Sequence, residues 1–286
     1  MNKVKTLTLN SPLFPEQLKA IPSPPQQLYY VGNLEQALAE PRLAIVGSRK
    51  VSAYGKSVTL RLAREAAEQG ITIISGLALG VDGLAHQAAL EAGGATIAVL
   101  PGGLDEIYPA SHHNLAQRIL KQGGALISEY PAETPAFKTN FVERNRLVSG
   151  LSDAVLITEA ALKSGSLHTA GFAKKQGKPL LAVPGNITSE LSAGTNQLIK
   201  EGATPITEVR DILAAMKLQK QTKKTQYKGA TDEETAILQL ISQGISDGSE
   251  LLHITKLAPQ VFNQTLTMLE ITGKISPLGT GKWGIK

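Results

Sequence analysis

The chain has 286 residues, room for about two domains with a sizeable core, and its 29 basic and 24 acidic side chains leave a net charge of +5. That balance leans mildly toward anionic partners and says little more. The absence of cysteine excludes disulfides, thiolate metal sites and a cysteine nucleophile, and the longest apolar runs are strand-length, too short for a membrane helix.

Taken in order, residues 1–40 contain Pro12, Pro15, Pro22, Pro24 and Pro25 and read as an extended proline-rich lead-in, with no apolar core and cleavage site of the secretory kind. The expected location is the cytoplasm. Residues 41–215 place short apolar runs at 43–46, 71–75, 95–100, 125–128, 154–158 and 179–183, separated by amphipathic helical stretches such as 58–69 and 84–92. This alternation predicts an α/β fold, with a mostly parallel sheet and helices on both faces. Residues 216–230 are polar and basic without periodicity and read as a linker. In 231–286, three helical stretches (233–242, 251–257 and 259–272) precede strand-like runs at 274–276 and 283–285, the outline of a small C-terminal winged-helix domain.

Ligands of open α/β sheets sit at the carboxyl ends of the strands, so the loops that follow the strands carry the functional signal. After the first comes Val46-Gly47-Ser48-Arg49-Lys50, where glycine admits close backbone approach and Arg49 supplies charge at a helix start. After the second comes the glycine-rich 75–82. Lys163-Ser164-Gly165-Ser166 follows a later strand and offers hydroxyls and amides, and Pro184-Gly185-Asn186 follows the next, with 192–196 beyond. Between these lies Phe141-Val142-Glu143-Arg144-Asn145-Arg146, preceded by Lys138. Arg144 and Arg146 are two apart, so on a helix they face different ways: one braces the fold and the other faces a ligand.

Several residues invite a blander interpretation. A single glycine-rich turn is more often a tight connection than an anion site, but four with nearby cations shift the balance to binding. Asp82 and His86, four apart on one helix face, read as a structural hydrogen bond, and Glu129 and Glu159 as ion-pair partners of Arg144 or Arg146. Asp105 and Tyr108 read as loop-fixing. His112-His113 has no companion at metal-ligand spacing. No nucleophile elbow and no Walker A sequence is present. No catalytic residue, metal or cofactor is expected.

In order, Gly47-Ser48-Arg49, the 75–82 loop with His86, 102–109, 128–131, Phe141 with Arg144-Asn145-Arg146, Ser164-Gly165-Ser166 and Pro184-Gly185 resemble the DNA-processing protein A (DprA, or Smf) family over residues 41–205. The resemblance implies an extended Rossmann-like domain that binds single-stranded DNA, forms a homodimer and loads the RecA recombinase onto DNA taken up in natural transformation. It carries DNA contacts onto Gly47, Ser48, Arg49, Lys138, Phe141, Asn145 and Arg146, with Ser164, Gly165 and Ser166 as phosphate donors. Two departures stand out. The small helical domain that many members carry in front is replaced by the proline-rich segment, and Phe141 is followed by Val142 where members usually have proline.

Independently of the resemblance, sequence-neutral capture of single strands needs cations for phosphates and an aromatic ring for an unstacked base. Arg49, Lys138 and Arg146 supply the first and Phe141 the second. The main rival is a nucleotide-hydrolysing enzyme of the Lonely Guy type, which releases the base from a nucleoside monophosphate through a Pro-Gly-Gly-x-Gly-Thr-x-x-Glu loop. Here Pro101-Gly102-Gly103 continues into Leu104-Asp105-Glu106, without the Gly-Thr and its glutamate. A dinucleotide oxidoreductase is disfavoured because no Gly-x-Gly-x-x-Gly follows the first strand.

Overall fold

The computed structural model describes residues 3–39, 41–219, 229–242 and 245–285. The chain divides into two compact units, Met1–Gln221 and Thr222–Lys286.

The first unit begins with β1 (Lys5–Thr8), the single turn α1 (Glu16–Lys19), β2 (Gln27–Gly32) and α2 (Leu34–Ala39). Alternation then takes over: β3 (Arg42–Val46), α3 (Ala53–Glu68), β4 (Thr72–Ser75), α4 (Val81–Glu91), β5 (Thr96–Leu100), α5 (His113–Lys121), β6 (Ala125–Ser128) and α6 (Lys138–Gly150). It continues through β7 (Ala154–Ile157), α7 (Ser166–Lys175), β8 (Leu180–Ala182), α8 (Ala193–Lys200), β9 (Thr204–Pro205) and α9 (Val209–Ala215). The nine strands form one sheet in the order β1-β2-β6-β5-β4-β3-β7-β8-β9. From β6 to β9 every pairing is parallel, whereas β2 pairs antiparallel with β6 and β1 with β2.

The uninterrupted apolar strands follow from this topology. All four residues of β7, Ala-Val-Leu-Ile, are fully buried, because helices cover both faces of a parallel sheet. One face packs against α6, α7, α8 and the N-terminal segment through Leu147, Val148, Ala170 and Leu198; the other packs against α3, α4 and α9 through Leu62, Ala66, Ala85, Ala88 and Ile212.

The N-terminal segment departs from the extended lead-in expected for 1–40. It supplies two strands of the main sheet and buries Phe14, Leu18, Ile21, Leu28 and Leu34 in the core. Leu18 and Ile21 pack over Gly150 at the end of α6, where a Cβ would collide with them. Pro15 stands at the N-cap of α1, where its carbonyl accepts from the Leu18 amide and its missing N–H costs no bond of the turn. The apolar residues are held by a one-turn helix, a four-residue edge strand and the antiparallel strand β2 inside it, spaced among prolines so that no period shows in the sequence.

At the other end α9 runs to Ala215, and Met216 and Leu218 pack against the core, so the first residues of the expected 216–230 linker belong to the first unit. Residues 220–228 of that linker lie outside the described residues. The second unit holds α10 (Asp232–Ser242), α11 (Gly248–Thr255), α12 (Pro259–Ile271) and the antiparallel ribbon β10 (Ile275–Gly279) with β11 (Lys282–Ile285), around Ile237, Leu238, Leu251, Phe262, Leu266 and Leu269. Among the described residues no helix is long and apolar enough to cross a membrane.

If the N-terminal segment is core, Phe14→Ala must behave as a core truncation. We expect a loss of about 3–5 kcal/mol in chemical unfolding; a change below about 0.5 kcal/mol would mark the segment as a loosely attached lead-in.

Candidate functional site

Strand order decides where the site forms. From β3, one run of the sheet leads through β4, β5 and β6 and the other through β7, β8 and β9. The crossovers therefore diverge between β3 and β7, and the loops leaving the carboxyl ends of these strands part to leave a crevice. A cavity of about 710 Å³ lies there, within the usual range for ligand sites. The loop after β3 lines it with Gly47, Ser48, Arg49 and Lys50, the loop after β7 with Lys163, Ser164, Gly165 and Ser166, and the first turns of α6 with Lys138, Phe141, Arg144 and Asn145.

Five cationic side chains line the cavity, Arg49, Lys50, Lys138, Arg144 and Lys163, against a single carboxylate, Asp82. Arg49, Lys50, Lys138 and Lys163 are exposed, while Arg144 and Asp82 are buried in the floor. The Arg49 guanidinium lies over the Phe141 ring at 5.3 Å, and the Tyr108 ring meets Phe141 edge-on at 5.2 Å. Arg49 is thus held by a cation–π contact instead of a carboxylate, which leaves its charge for an anion. Phe141 is half-buried, with exposed Phe137 and Val142 nearby in sequence.

Nine of the ten expected site residues come together here: Gly47, Ser48, Arg49, Lys138, Phe141, Asn145, Ser164, Gly165 and Ser166. Arg146 is the exception. It faces away from the cavity, 8% exposed, and its Nη2 donates to Glu129 Oε1 at 2.6 Å. Both arginines therefore brace the fold, instead of one bracing and one facing a ligand, because the sheet offers each a fixed acceptor. Arg144 donates through Nη1 to the carbonyl oxygens of Gly76, at 2.7 Å, and Val99. Tyr108, expected to fix a loop, is half exposed on the cavity wall and is the aromatic that sequence reading missed. It reaches the site from β5 by a loop closed at Pro109, far in sequence from its neighbour Phe141.

The four glycine-rich loops play different parts. In the loop after β4, Gly80 has φ +77° and a Cβ there would strike the Ser48 and Arg49 backbone; a Cβ at Gly76 would occupy the place of the Arg144 guanidinium. These glycines serve packing. Gly165, by contrast, has open space where its Cβ would be. Ser48 Oγ is engaged in its own turn, donating to the Lys50 carbonyl at 2.6 Å, and the Ser164 and Ser166 hydroxyls share a hydrogen bond of 2.8 Å. Pro184-Gly185-Asn186 of the loop after β8 lies outside this cavity and lines another, with Ser52, Tyr54, Ser189 and Ser192.

The floor is electrostatically costly. Burial pushes the Arg144 guanidinium down to about 10, with Asp82 opposing and Arg49 adding to the effect. Burial likewise raises the Asp82 carboxyl, against Arg144 and the amides of Ala78 and Gly76 that donate to it. Asp82 and His86 do not bond to each other: His86 Nδ1 meets Thr96 Oγ1 at 2.6 Å. Glu129 pairs with Arg146, whereas Glu159 accepts from the Ser52 amide and hydroxyl and holds the start of α3.

The Pro101-Gly102-Gly103 turn is closed off by its own chain. Gly103 N donates to the Thr134 carbonyl at 2.8 Å, and a Cβ on either glycine would meet backbone of residues 131–136. No nucleotide loop of the Lonely Guy kind is open there.

Fold and site together define a Rossmann-like protein with a cationic, aromatic-lined crevice at the switch point of its sheet. Residues 5–217 match the family described as DNA recombination-mediator protein A, and the chain belongs to that family. It is 48% identical over 204 residues to Protein Smf of Escherichia coli K12, covering 71% of this chain and 54% of that protein, so it spans about half of that relative's length. It is 40% identical over 209 residues to DNA processing protein DprA of Bacillus subtilis, covering 73% of this chain and 70% of that one. Among solved structures, DNA processing protein A from Streptococcus pneumoniae aligns with a TM-score of 0.70 at 38% identity over 74% of each chain. That from Helicobacter pylori, solved for its single-stranded DNA binding mode, aligns with a TM-score of 0.67 at 38% identity over 76% of this chain and 98% of that one.

The buried histidine beside this floor makes a pH prediction. Burial, aided by His112 and Arg144, holds the His86 imidazole down to about 3, against an ordinary 6.5. The folded state keeps it neutral, so its contribution is whole above about pH 6.5 and is lost as pH falls toward about 3, by up to about 1.4 kcal/mol per pH unit. Between pH 7 and 5, His86→Gln should lose stability less steeply than the parent in chemical unfolding. Equal slopes would mean that His86 titrates as freely folded as unfolded.

Proposed function

We propose that the crevice grips single-stranded DNA and that the protein, as a homodimer, protects incoming DNA and loads the RecA recombinase onto it during natural transformation. The observation that carries the DNA reading is the Arg49–Phe141–Tyr108 cluster inside a crevice ringed by exposed Lys50, Lys138 and Lys163. Cations flanking an aromatic ring are what a strand needs when its phosphates are contacted and a base is turned out to stack. The Helicobacter pylori relative, solved for its single-stranded DNA binding, supports the reading. Arg49, Lys50, Lys138 and Lys163 contact phosphates, the open backbone at Gly165 with the Ser164 and Ser166 hydroxyls receives one of them, and Asn145 faces the base. Arg144 holds the floor, and Arg146 acts only through the fold.

The C-terminal unit fits a winged helix, with α12 in the place of a recognition helix. That helix carries no lysine or arginine and exposes Val261, Met268 and Ile271. Since phosphate contacts dominate affinity for DNA, the unit serves protein contacts or dimer regulation rather than duplex binding.

Oligothymidine affinity measured across salt concentrations tests the crevice. Arg49→Ala and Lys138→Ala should each weaken binding and reduce the slope of log affinity against log salt by about 0.7, one phosphate contact on a single strand. Arg146→Met should leave that slope unchanged while lowering stability by about 1–3 kcal/mol, because it leaves the half-buried Glu129 carboxylate without its partner. Unaltered affinity and slope in both Arg49→Ala and Lys138→Ala would remove the crevice from the DNA path.

Base stacking separates from charge in a second measurement. Phe141→Ala should cost about 1–3 kcal/mol of oligothymidine binding with the salt slope nearly intact. A blunt duplex of equal length should bind more weakly than oligothymidine, since it must unpair a base at a cost of about a few kcal/mol. Equal affinity for the two would mark a generic basic surface.

A further inference from the structure

The glycine-rich loop after β8, Pro184-Gly185-Asn186, has no part in the crevice at the switch point. It lines a separate cavity of about 640 Å³ together with Ser52, Tyr54, Ser189 and Ser192. Two segments of chain link the cavities. The loop after β3 gives Arg49 and Lys50 to the first and continues directly into Ser52 and Tyr54 of the second; the segment before α8 gives Leu191 to the first and its neighbours Ser189 and Ser192 to the second. Residues 49–54 and 189–192 therefore run from one cavity to the other.

Tyr54 is a large aromatic left 48% exposed, yet it does not swing freely, for its hydroxyl donates to the Pro184 carbonyl at 2.7 Å. Tyr54 and Pro184 also line a further cavity of about 200 Å³ that reaches Arg61, so the ring stands as a partition between two hollows. A ring fixed at its tip and open beside its faces is a stacking surface whose ordering cost is already met. No acidic side chain lines the 640 Å³ cavity, and exposed Lys50 and Lys56 stand beside Tyr54 in sequence.

We propose that this second cavity is a further nucleotide subsite, in which a base of the same single strand stacks on Tyr54 while Lys50 holds the phosphate that passes between the two cavities. The proposal rests on the crevice binding single-stranded DNA, and it makes the protein's grip continuous over neighbouring nucleotides instead of confined to one pocket. The Ser189 and Ser192 hydroxyls and the Asn186 amide offer polar contacts to any base edge, consistent with capture that ignores sequence, while the Ser52 hydroxyl is engaged with Glu159 and the Gly55 amide.

The test uses the full-length protein and a ladder of oligothymidines that grows one nucleotide at a time. For the parent, affinity should rise in two steps, and Tyr54→Ala should abolish the second step, weakening the longer oligomers about five- to a hundredfold while leaving the shortest binders unchanged. Tyr54→Phe, which keeps the ring, should retain most of the second step. A measurement free of substitutions accompanies these: oligothymidine carrying 5-iodouracil at successive positions, irradiated on the parent protein, should cross-link to Tyr54 from one position only. Equal affinities of Tyr54→Ala and the parent at every length, or cross-links that never reach Tyr54, would overturn the subsite while leaving the crevice reading intact. Absence of any oligothymidine binding by the parent would instead overturn the crevice reading, and the subsite with it.

Discussion

The first unit depends on one buried cation. Arg144 sits beneath the crevice, 3% exposed, and its guanidinium donates to the carbonyls of Gly76 after β4 and Val99 within β5. It lies close enough to Asp82 for each to offset part of the other's burial. An ion so placed is worth little as an attraction, because desolvation consumes much of what pairing returns. Its value is geometric. One planar group with donors in fixed directions joins α6, the strand β5 and the loop after β4, and so fixes the floor on which the exposed cations stand.

The rest of the site follows from that floor. Gly76 has no side chain because the guanidinium occupies its space, and Gly80 takes a left-handed conformation because the backbone of Ser48 and Arg49 crosses there. Arg49 is thereby presented at the crevice mouth, where it rests on Phe141 instead of on an acid. A carboxylate partner would have neutralised it; an aromatic partner orients it and leaves its charge to act outward. The placement of charge thus divides cleanly. Paired or buried arginines hold the architecture, and exposed lysines with Arg49 face the solvent.

The family match and the geometry support each other from different directions. The match over residues 5–217 covers the whole sheet, including the strands that the N-terminal segment adds. The geometry explains why so much chain is needed: the N-terminal segment buries Phe14, Leu18 and Ile21 against the helix that carries the aromatic and the asparagine of the site. Loss of that packing would reach the crevice through α6.

What the sequence determined by itself was the alternation of strands and helices from 42 onward and the loops that end at the crevice. Six strands covered by helices appear as short apolar runs, and glycine with arginine after a strand marks the loop that reaches the crevice, although the start of α3 itself is taken by Glu159. The sequence left open what long-range pairing decides. The four-residue edge strand β1 and the one-turn α1 are too short to show a period, and β2 follows directly on Pro22, Pro24 and Pro25, so proline dominated the appearance of the segment, and only the antiparallel pairing of β2 with β1 and β6 reveals it as sheet. Arg144 and Arg146 look alike in one dimension, and their partners lie 45–68 and 17 residues away, on strands and loops that meet them only after folding. Tyr108 joins Phe141, and the loop after β8 parts from the crevice, for the same reason: the switch point is a property of strand order, and strand order is set by packing among segments distant in the chain.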